Sequence, residues 1–439
     1  MTPANKGMRW LFVALIVFGL LGWIVDGSVL YARLAYVGMM LIAGTYLLSL
    51  ISMRGVHLTR RVRTLRASMG DLFEERFEVR NAVRQTCAWL EIDNQSPLPL
   101  AEGSHLLTNI GGRQKRSFTA RTWLTRRGAF PLGPTVLTSG DPFGLFSVQK
   151  HIPAEDMLVV LPMTVLISAF PIPPGLLPGG KAIRQKTLDV TPHAAGVREY
   201  VPGDPMKRIH WPTTARRQRL MVKEFEQDPQ AEIWLFLDAQ RGIHSKLPQH
   251  EIQPIGEFWW LKKRVQIKLP EESFEYAVSV TASLARHFLA DRRVVGLSCA
   301  GGKFTVVPAE RGERQIGKIL ETLAFIQAEG ALPLLGLVTM QAKLLPIGSS
   351  VILVTPSIQA DILLAIENLK RWNLRPMVVI LQAETFGGRQ GDATIVEALL
   401  NRNIPVCQIG CGDDLGRALA QTASYFQRPA FPNPAAWVV

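Results

Sequence analysis

Hydrophobic positions change their spacing twice along the chain, and each change marks a different kind of element. Residues 10–25 (WLFVALIVFGLLGWIV) and 34–53 (LAYVGMMLIAGTYLLSLISM) are nearly unbroken apolar runs, parted by a short stretch that holds Asp26 and Arg33. The second run reaches the roughly 20 residues that a spanning helix needs, and the first is shorter. Trp10 and Trp23 sit near the ends of the first run, where aromatic rings favour the membrane interface. The pattern predicts a two-helix transmembrane hairpin over residues 1–54. No small-residue cleavage site follows the first run, which disfavours a removed signal peptide. Lys6 and Arg9 precede the first apolar run, and Arg54, Arg60, Arg61, Arg63 and Arg66 follow the second. Positive-inside logic puts both ends, and the soluble domains, in the cytoplasm of a multi-pass cell-membrane protein. The arginines after Met53 lie where they would meet anionic headgroups.

From residue 55 to about 165 the period shortens towards two. RFEVRNAV (76–83), CAWLEIDN (87–94), SFTARTWLT (117–125) and TVLTS (135–139) alternate and are rich in β-branched and aromatic residues. Gly-Gly, Gly-Pro and Asn-Gln-Ser-Pro punctuate them, as expected of an antiparallel β-sandwich-like domain. SGDPFGLF (139–146) reads as a tight Asp-Pro turn followed by apolar residues able to dock on a neighbouring part.

After residue 228 short apolar runs alternate with helical periods. EIWLFLDA (232–239), VVGLSCA (294–300), VILVTPS (351–357), PMVVILQ (376–382) and PVCQIG (405–410) read as strands buried on both faces. Helical patterns over 273–290, 313–327, 360–372 and 393–401 lie between them. That alternation predicts a doubly wound α/β domain over residues 230–425, with ligands expected at the strands' carboxyl ends. A proline-rich tail, 426–439, follows. The segment 241–270 is a long insertion whose FWWLKKR patch suits a membrane surface, a partner, or an apolar plug on its own domain.

Composition adds one constraint. The 439 residues carry 49 Lys and Arg against 36 Asp and Glu, a net charge of +13 that calls for an anionic partner such as lipid or an acidic protein face. The four cysteines (Cys87, Cys299, Cys407, Cys411) are too scattered for a disulfide framework, and no zinc spacing surrounds them.

Between the two soluble domains, residues 166–229 join a Pro/Gly-rich linker to the densest polar stretch of the chain. GVREYVPGDPMKRIHWPTTARRQRLMVKEFE (196–226) holds Arg198, Glu199, Tyr200, Gly203, Asp204, Arg208, His210, Trp211 and Arg216. Pro202 to Pro205 force a turn, and a helical turn is expected over 205–211, with Ile209 and Trp211 as its apolar anchors. Three roles fit. The first is a clamp in which arginines pair with carboxylates across the domain joint. The second is a docking face for an acidic partner. The third is catalysis on an envelope or phosphate-bearing substrate, with His210 as base and Arg208 as anion clamp. No nucleophile–base set or carboxylate pair completes that third role, so no catalytic residue is assigned. The basic residues also lack the stacking platform of a nucleic-acid site.

Read with ARTWLTRRGAFPLGPTVLTSGDPFGLFS (120–147), this motif resembles a bacterial family known as domain of unknown function fifty-eight. The resemblance implies that the α/β domain is von Willebrand factor A-like. It also implies association with MoxR-type AAA+ ATPases, and hence a non-enzymatic adaptor at the membrane. Such domains often bind a divalent cation through Asp-x-Ser-x-Ser after the first strand. Here Asp238 matches the first position, but Gln240 and Gly242 replace the serines, so Asp238 reads better as a buried strand-end carboxylate than as a Mg2+ ligand. A cation-dependent ligand-binding module remains the remoter alternative.

Overall fold

A computed structural model describes residues 6–170, 194–201, 206, 209–225, 232–248, 269–357, 359–389 and 391–426. The chain is a multidomain α/β protein with one N-terminal apolar helix pair and several sheets, and it clusters into two compact units. The 249–268 part of the insertion, the linker over 171–193, and the tail from 427 lie outside the described residues.

The first unit spans Met1–Met163, and the Leu320–Phe325 segment clusters with it. It opens with α1 (Lys6–Asp26) and α2 (Val29–Ser52), joined by Gly27 and by Ser28, whose Oγ accepts from Leu30 N. α2 is long and apolar enough to cross a membrane, with a mean hydropathy of 1.9. The helices approach through glycines: a Cβ on Gly19 would lie 2.8 Å from Ala35 N, and one on Gly38 would lie 2.6 Å from the Ile16 side chain. Small residues at a crossing let two backbones close up, which is how apolar helices gain packing where burial from water offers little.

The β-rich part of this unit contains β1 (Val56–Val62), β2 (Arg66–Ser68), β3 (Leu72–Asn81), β4 (Cys87–Asn94) and β5 (His105–Ile110). It continues with β6 (Lys115–Trp123), β7 (Gly128–Pro131), β8 (Thr135–Gly140), β9 (Ser147–Ile152) and β10 (Met157–Leu161). An antiparallel sandwich was the expectation. The strands form three sheets, ordered β1-β3-β6, β5-β4-β8-β9 and β2-β10-β7, and the β2–β10 pair is parallel. The first two share a core in which Val56 and Val79 meet Leu90, Ile92, Ile110 and Leu137.

One expectation about the arginines needs correcting. Alternation along β1 turns Val56, Leu58 and Arg60 to one side, so Arg60 faces inward rather than standing exposed with Arg61. Its guanidinium lies over the Phe77 ring at 4.9 Å, with Nε 3.5 Å from Glu75 Oε1. Its NH2 group donates to Asn94 Oδ1 (2.7 Å) and Thr135 Oγ1 (2.9 Å). Glu75 is 1% exposed, and burial pushes its carboxyl above the usual range more than Arg60 pulls it down. Burial likewise lowers the Arg60 guanidinium.

The second unit runs from Thr164 through the rest of the described chain apart from Leu269, Pro270 and Leu320–Phe325. It begins with β11 (Ala194–Glu199), α3 (Trp211–Arg217) and β12 (Met221–Phe225). Then follow β13 (Ile233–Leu237), α4 (Ser273–Ala290), β14 (Val295–Ala300), β15 (Phe304–Glu310), α5 (Glu313–Phe325) and α6 (Leu334–Gln341). β16 (Ser350–Thr355), α7 (Asp361–Arg371), β17 (Arg375–Leu381), α8 (Asp392–Leu400), β18 (Val406–Ile409) and α9 (Leu415–Phe426) complete it. The six-stranded sheet has the order β15-β14-β13-β16-β17-β18, parallel except for edge strand β15.

Phe236, Leu353 and Ile380 pack on one face with Leu337, Ile366 and Leu399 from α6 to α8. α4 packs across β13, β14, β16 and β17 without joining that cluster, so it covers the other face. Burial on nearly all its sides explains its Ser and Thr content. Thr281 and Ser283 donate back to Ala277 O and Ser279 O, which satisfies their hydroxyls inside the core. The strand order turns back at β13, so the crevice where such a sheet takes ligands lies at the carboxyl ends of β13 and β16.

Candidate functional site

Two groups of residues stand out in the second unit: the β11–α3–β12 element and the carboxyl ends of β13 and β16.

β11 and β12 pair antiparallel, with Glu199 opposite Met221 and Arg198 opposite Val222. The pairing continues as a bridge between Ile209 and Val222, with Tyr200 N donating to Leu220 O and His210 N to Met221 O. The expected helical turn is present at Met206, whose carbonyl accepts from Ile209 N (3.2 Å); Ile209 is then held in that bridge, and a separate helix occupies Trp211–Arg217. Pro212 stands in its first turn, where a missing N–H costs nothing. Gln218 closes it with φ +53°, and Thr214 Oγ1 accepts from Met221 N.

Ile209, Met221 and Val222 are buried and hold the element together. Trp211 is not the anchor that was expected: it is 64% exposed. Val201, Met206 and Leu220 are exposed with it. Arg216, Arg217 and Arg219 are exposed on the same short element, with Arg219 NH1 3.1 Å from Glu199 Oε1. His210 Nδ1 is 2.7 Å from Thr213 Oγ1. Gly203, Asp204 and Arg208 lie outside the described residues, as does the Arg198 side chain. The catalytic pairing of His210 with Arg208 therefore has no geometry to rest on.

At the sheet edge, Asp238 follows β13 and is 2% exposed. Its Oδ2 accepts from Thr355 Oγ1 (2.7 Å) at the end of β16, and its Oδ1 from Gln240 N (3.2 Å). Thr355 Oγ1 accepts in turn from Ser357 N (2.9 Å). His244 Nε2 lies 3.0 Å from Asp238 O. A carbonyl only accepts, so Nε2 carries the proton and Nδ1 faces Ser273 Oγ at 3.3 Å. Burial pushes the Asp238 carboxyl up to about 6, against the opposing effect of the Thr355 and Gln240 bonds.

These residues do not fit a hard divalent cation. Asp238 is the one carboxylate there, both its oxygens already accept bonds, and Gln240 and Gly242 stand at the hydroxyl positions. Among the described residues no group of three or more His, Cys, Asp or Glu could hold a metal ion. All four cysteines are unbridged, and burial pushes the Cys299 thiol up to about 12, far from a reactive thiolate.

Residues 196–244 match the family described as protein of unknown function DUF58, a span that takes in most of the β11–α3–β12 element and Asp238, Gln240 and His244, but not Thr355. The uncharacterized protein YeaD of Bacillus subtilis (strain 168) is 26% identical over 357 residues, covering 75% of this chain and 79% of that one. The chain is thus similar to DUF58 proteins over this span, and to an uncharacterized protein over three quarters of its length. Among solved structures, the GH20 exo-β-N-acetylglucosaminidase of Vibrio harveyi aligns with 7% identity and a TM-score of 0.17, over 75% of this chain and 57% of its own length. A likeness that small carries no argument about fold or activity.

Proposed function

We propose that the chain is a membrane-anchored interaction protein that works beside a MoxR-type AAA+ ATPase, with β11–α3–β12 as its docking face. In this reading α1 and α2 form a transmembrane hairpin and both units lie in the cytoplasm. The second unit is then a von Willebrand factor A-like domain that presents the docking element. Support for the anchor comes from the length and hydropathy of α2 and from the basic residues in the first turn of α1 and just after α2. Support for the domain type comes from a parallel sheet with one antiparallel edge strand and a buried Asp-Thr pair at its switch point.

The observation that carries the docking role is the exposure of Trp211, Met206, Val201 and Leu220 on an element that is otherwise well anchored. Exposed Trp ringed by Arg is the composition of an interface centre, where both residue types are enriched among energetic hot spots. The test is co-purification of the tagged full chain from detergent, with Trp211→Ala and Arg216→Ala alongside. An AAA+ ATPase should copurify with the intact chain. Trp211→Ala should weaken that binding about 30-fold, the equivalent of roughly 2 kcal/mol, without altering the melt of the chain itself. Recovery of the intact chain with no such ATPase refutes the reading.

A further inference from the structure

The loop between β8 and β9 is built more firmly than an ordinary surface turn. Asp141 is fully buried, and its carboxylate accepts from Phe143 N (2.9 Å) and Phe146 N (2.6 Å). Trp89 Nε1 donates to Asp141 O (3.0 Å), and Gly144 N donates to the same carbonyl (3.2 Å). Gly144 takes φ +69°, which closes the turn, and a Cβ on Gly140 would collide with Phe146 O. Leu145 is buried beneath the loop.

The rigid loop carries two phenyl rings towards the helix pair. Phe143 meets Phe12 of α1 edge-on at 6.3 Å, and Phe146 meets Tyr46 of α2 edge-on at 5.5 Å. The level of these contacts follows from the helix register. Gly19 faces Ala35 and Ile16 faces Gly38, so Tyr46 stands level with residue 8. Phe12 is four residues further along the axis, about 6 Å at 1.5 Å per residue. Trp10 opens the apolar run, and so the Phe143 ring reaches about 3 Å past the level of that residue.

α2 agrees with this placement. Its small polar residues Thr45, Ser49 and Ser52 are buried, on the part of the helix that packs against β8 and β9, while Tyr46, Leu47 and Leu50 stay exposed. Phe143 itself remains 50% exposed, and the neighbouring Trp10 is also exposed. An apolar ring held out by a buried carboxylate, at the level where the apolar helices begin, is placed for the boundary between headgroups and acyl chains.

We propose that Asp141–Phe146 is a membrane-inserting finger, with Phe143 entering the interfacial layer of a lipid bilayer beside Trp10 and Phe12. The β-rich unit then contacts the bilayer at a third point in addition to the two helices. Arg54, exposed just after α2, is placed to meet the anionic headgroups above it. This inference rests on the reading of α1 and α2 as membrane spans.

The test uses the full chain in vesicles of phosphatidylcholine and phosphatidylglycerol (3:1), with Cys411→Ser to remove the partly exposed thiol. Single nitroxides are placed at Phe143→Cys, at Val37→Cys in the middle of α2, and at the exposed Glu155→Cys. Accessibility to oxygen, which partitions into lipid, is compared with accessibility to a water-soluble nickel chelate. Lipid-like accessibility is expected at 143 and 37, shallower at 143, with water-like accessibility at 155. Water-like behaviour at 143 with lipid-like behaviour at 37 overturns the finger and leaves the spans standing. Shielding of 143 from both reagents, which means protein cover, also overturns it. Water-like behaviour at 37 overturns the spans and the finger together.

Discussion

Replacing Asp238 with Asn removes one ionisable group from a buried position of the α/β unit, and its effect can be worked from the structure. The Asp238 carboxyl moves from 3.8 to about 6 because burial outweighs the hydrogen bonds from Thr355 and Gln240. The folded state therefore holds the proton more tightly than the unfolded chain does. Stability from this group is complete below about pH 3.8 and is lost as pH rises through about 6. At roughly 1.4 kcal/mol per pH unit, the wild type forfeits about 3 kcal/mol across that window. The amide in Asp238→Asn has no proton to lose, and its side-chain oxygen still accepts from Thr355 or Gln240. The stability difference, variant minus wild type, should thus climb by about 2.4 kcal/mol between pH 4 and pH 7.5, since part of the loss has already occurred at pH 4.

A global melt is the wrong assay for a two-unit chain. Hydrogen exchange of the β13 peptide, corrected for intrinsic rates, reports the local opening energy instead. A difference that stays flat within about 0.5 kcal/mol would refute the claim that desolvation dominates this carboxyl. Added Mg2+ should leave both curves in place, because the residues around Asp238 do not form a hard-cation site.

Two further substitutions test other parts of the molecule. Glu75→Ala leaves the Arg60 guanidinium buried without its carboxylate, and breaking a buried pair on one side costs about 3–5 kcal/mol. Arg60→Met with Glu75→Leu should restore most of that, as read from exchange of the β3 amides. Gly19→Val puts side-chain atoms into the Ala35 backbone, and the overpacking should cost about 1–3 kcal/mol, read from hydrogen exchange of the α1 and α2 amides in detergent. Gly44→Ala, at a position with open space around it, is the matched control and should be neutral or slightly stabilising.

What could be read from the sequence tracks how local each signal is. The strands of the α/β unit were legible because burial on both faces leaves unbroken apolar runs, and β13 and β16 fall where EIWLFLDA and VILVTPS lie. β4 was legible from its alternation, CAWLEIDN, and matches Cys87–Asn94 residue for residue. β1 was not, because HLTRR hides a strand under four polar residues whose burial only its partner β3 decides. The helix that begins at Trp211 was missed for a related reason. The helical turn at Met206 and this second helix are parted by the bridge between Ile209 and Val222, a pairing that no local window contains.

The same distinction separates the two groups in the second unit. Asp238 could be located from sequence because it ends a recognisable strand, but its partner Thr355 lies 117 residues away and is joined only by the parallel pairing of β13 with β16. The β11–α3–β12 element fitted both a clamp and a docking face in sequence because charge density alone does not tell an inward arginine from an outward one. Arg60 and Arg216 are the same residue type in comparably basic stretches. One lies in β1 opposite Phe77 and reaches buried Glu75; the other stands in the last turn of a seven-residue helix whose side chains are all at least partly exposed. Only the register of the surrounding strands separates them, and it is that register, more than the count of positive charges, that turns a basic sequence into a surface.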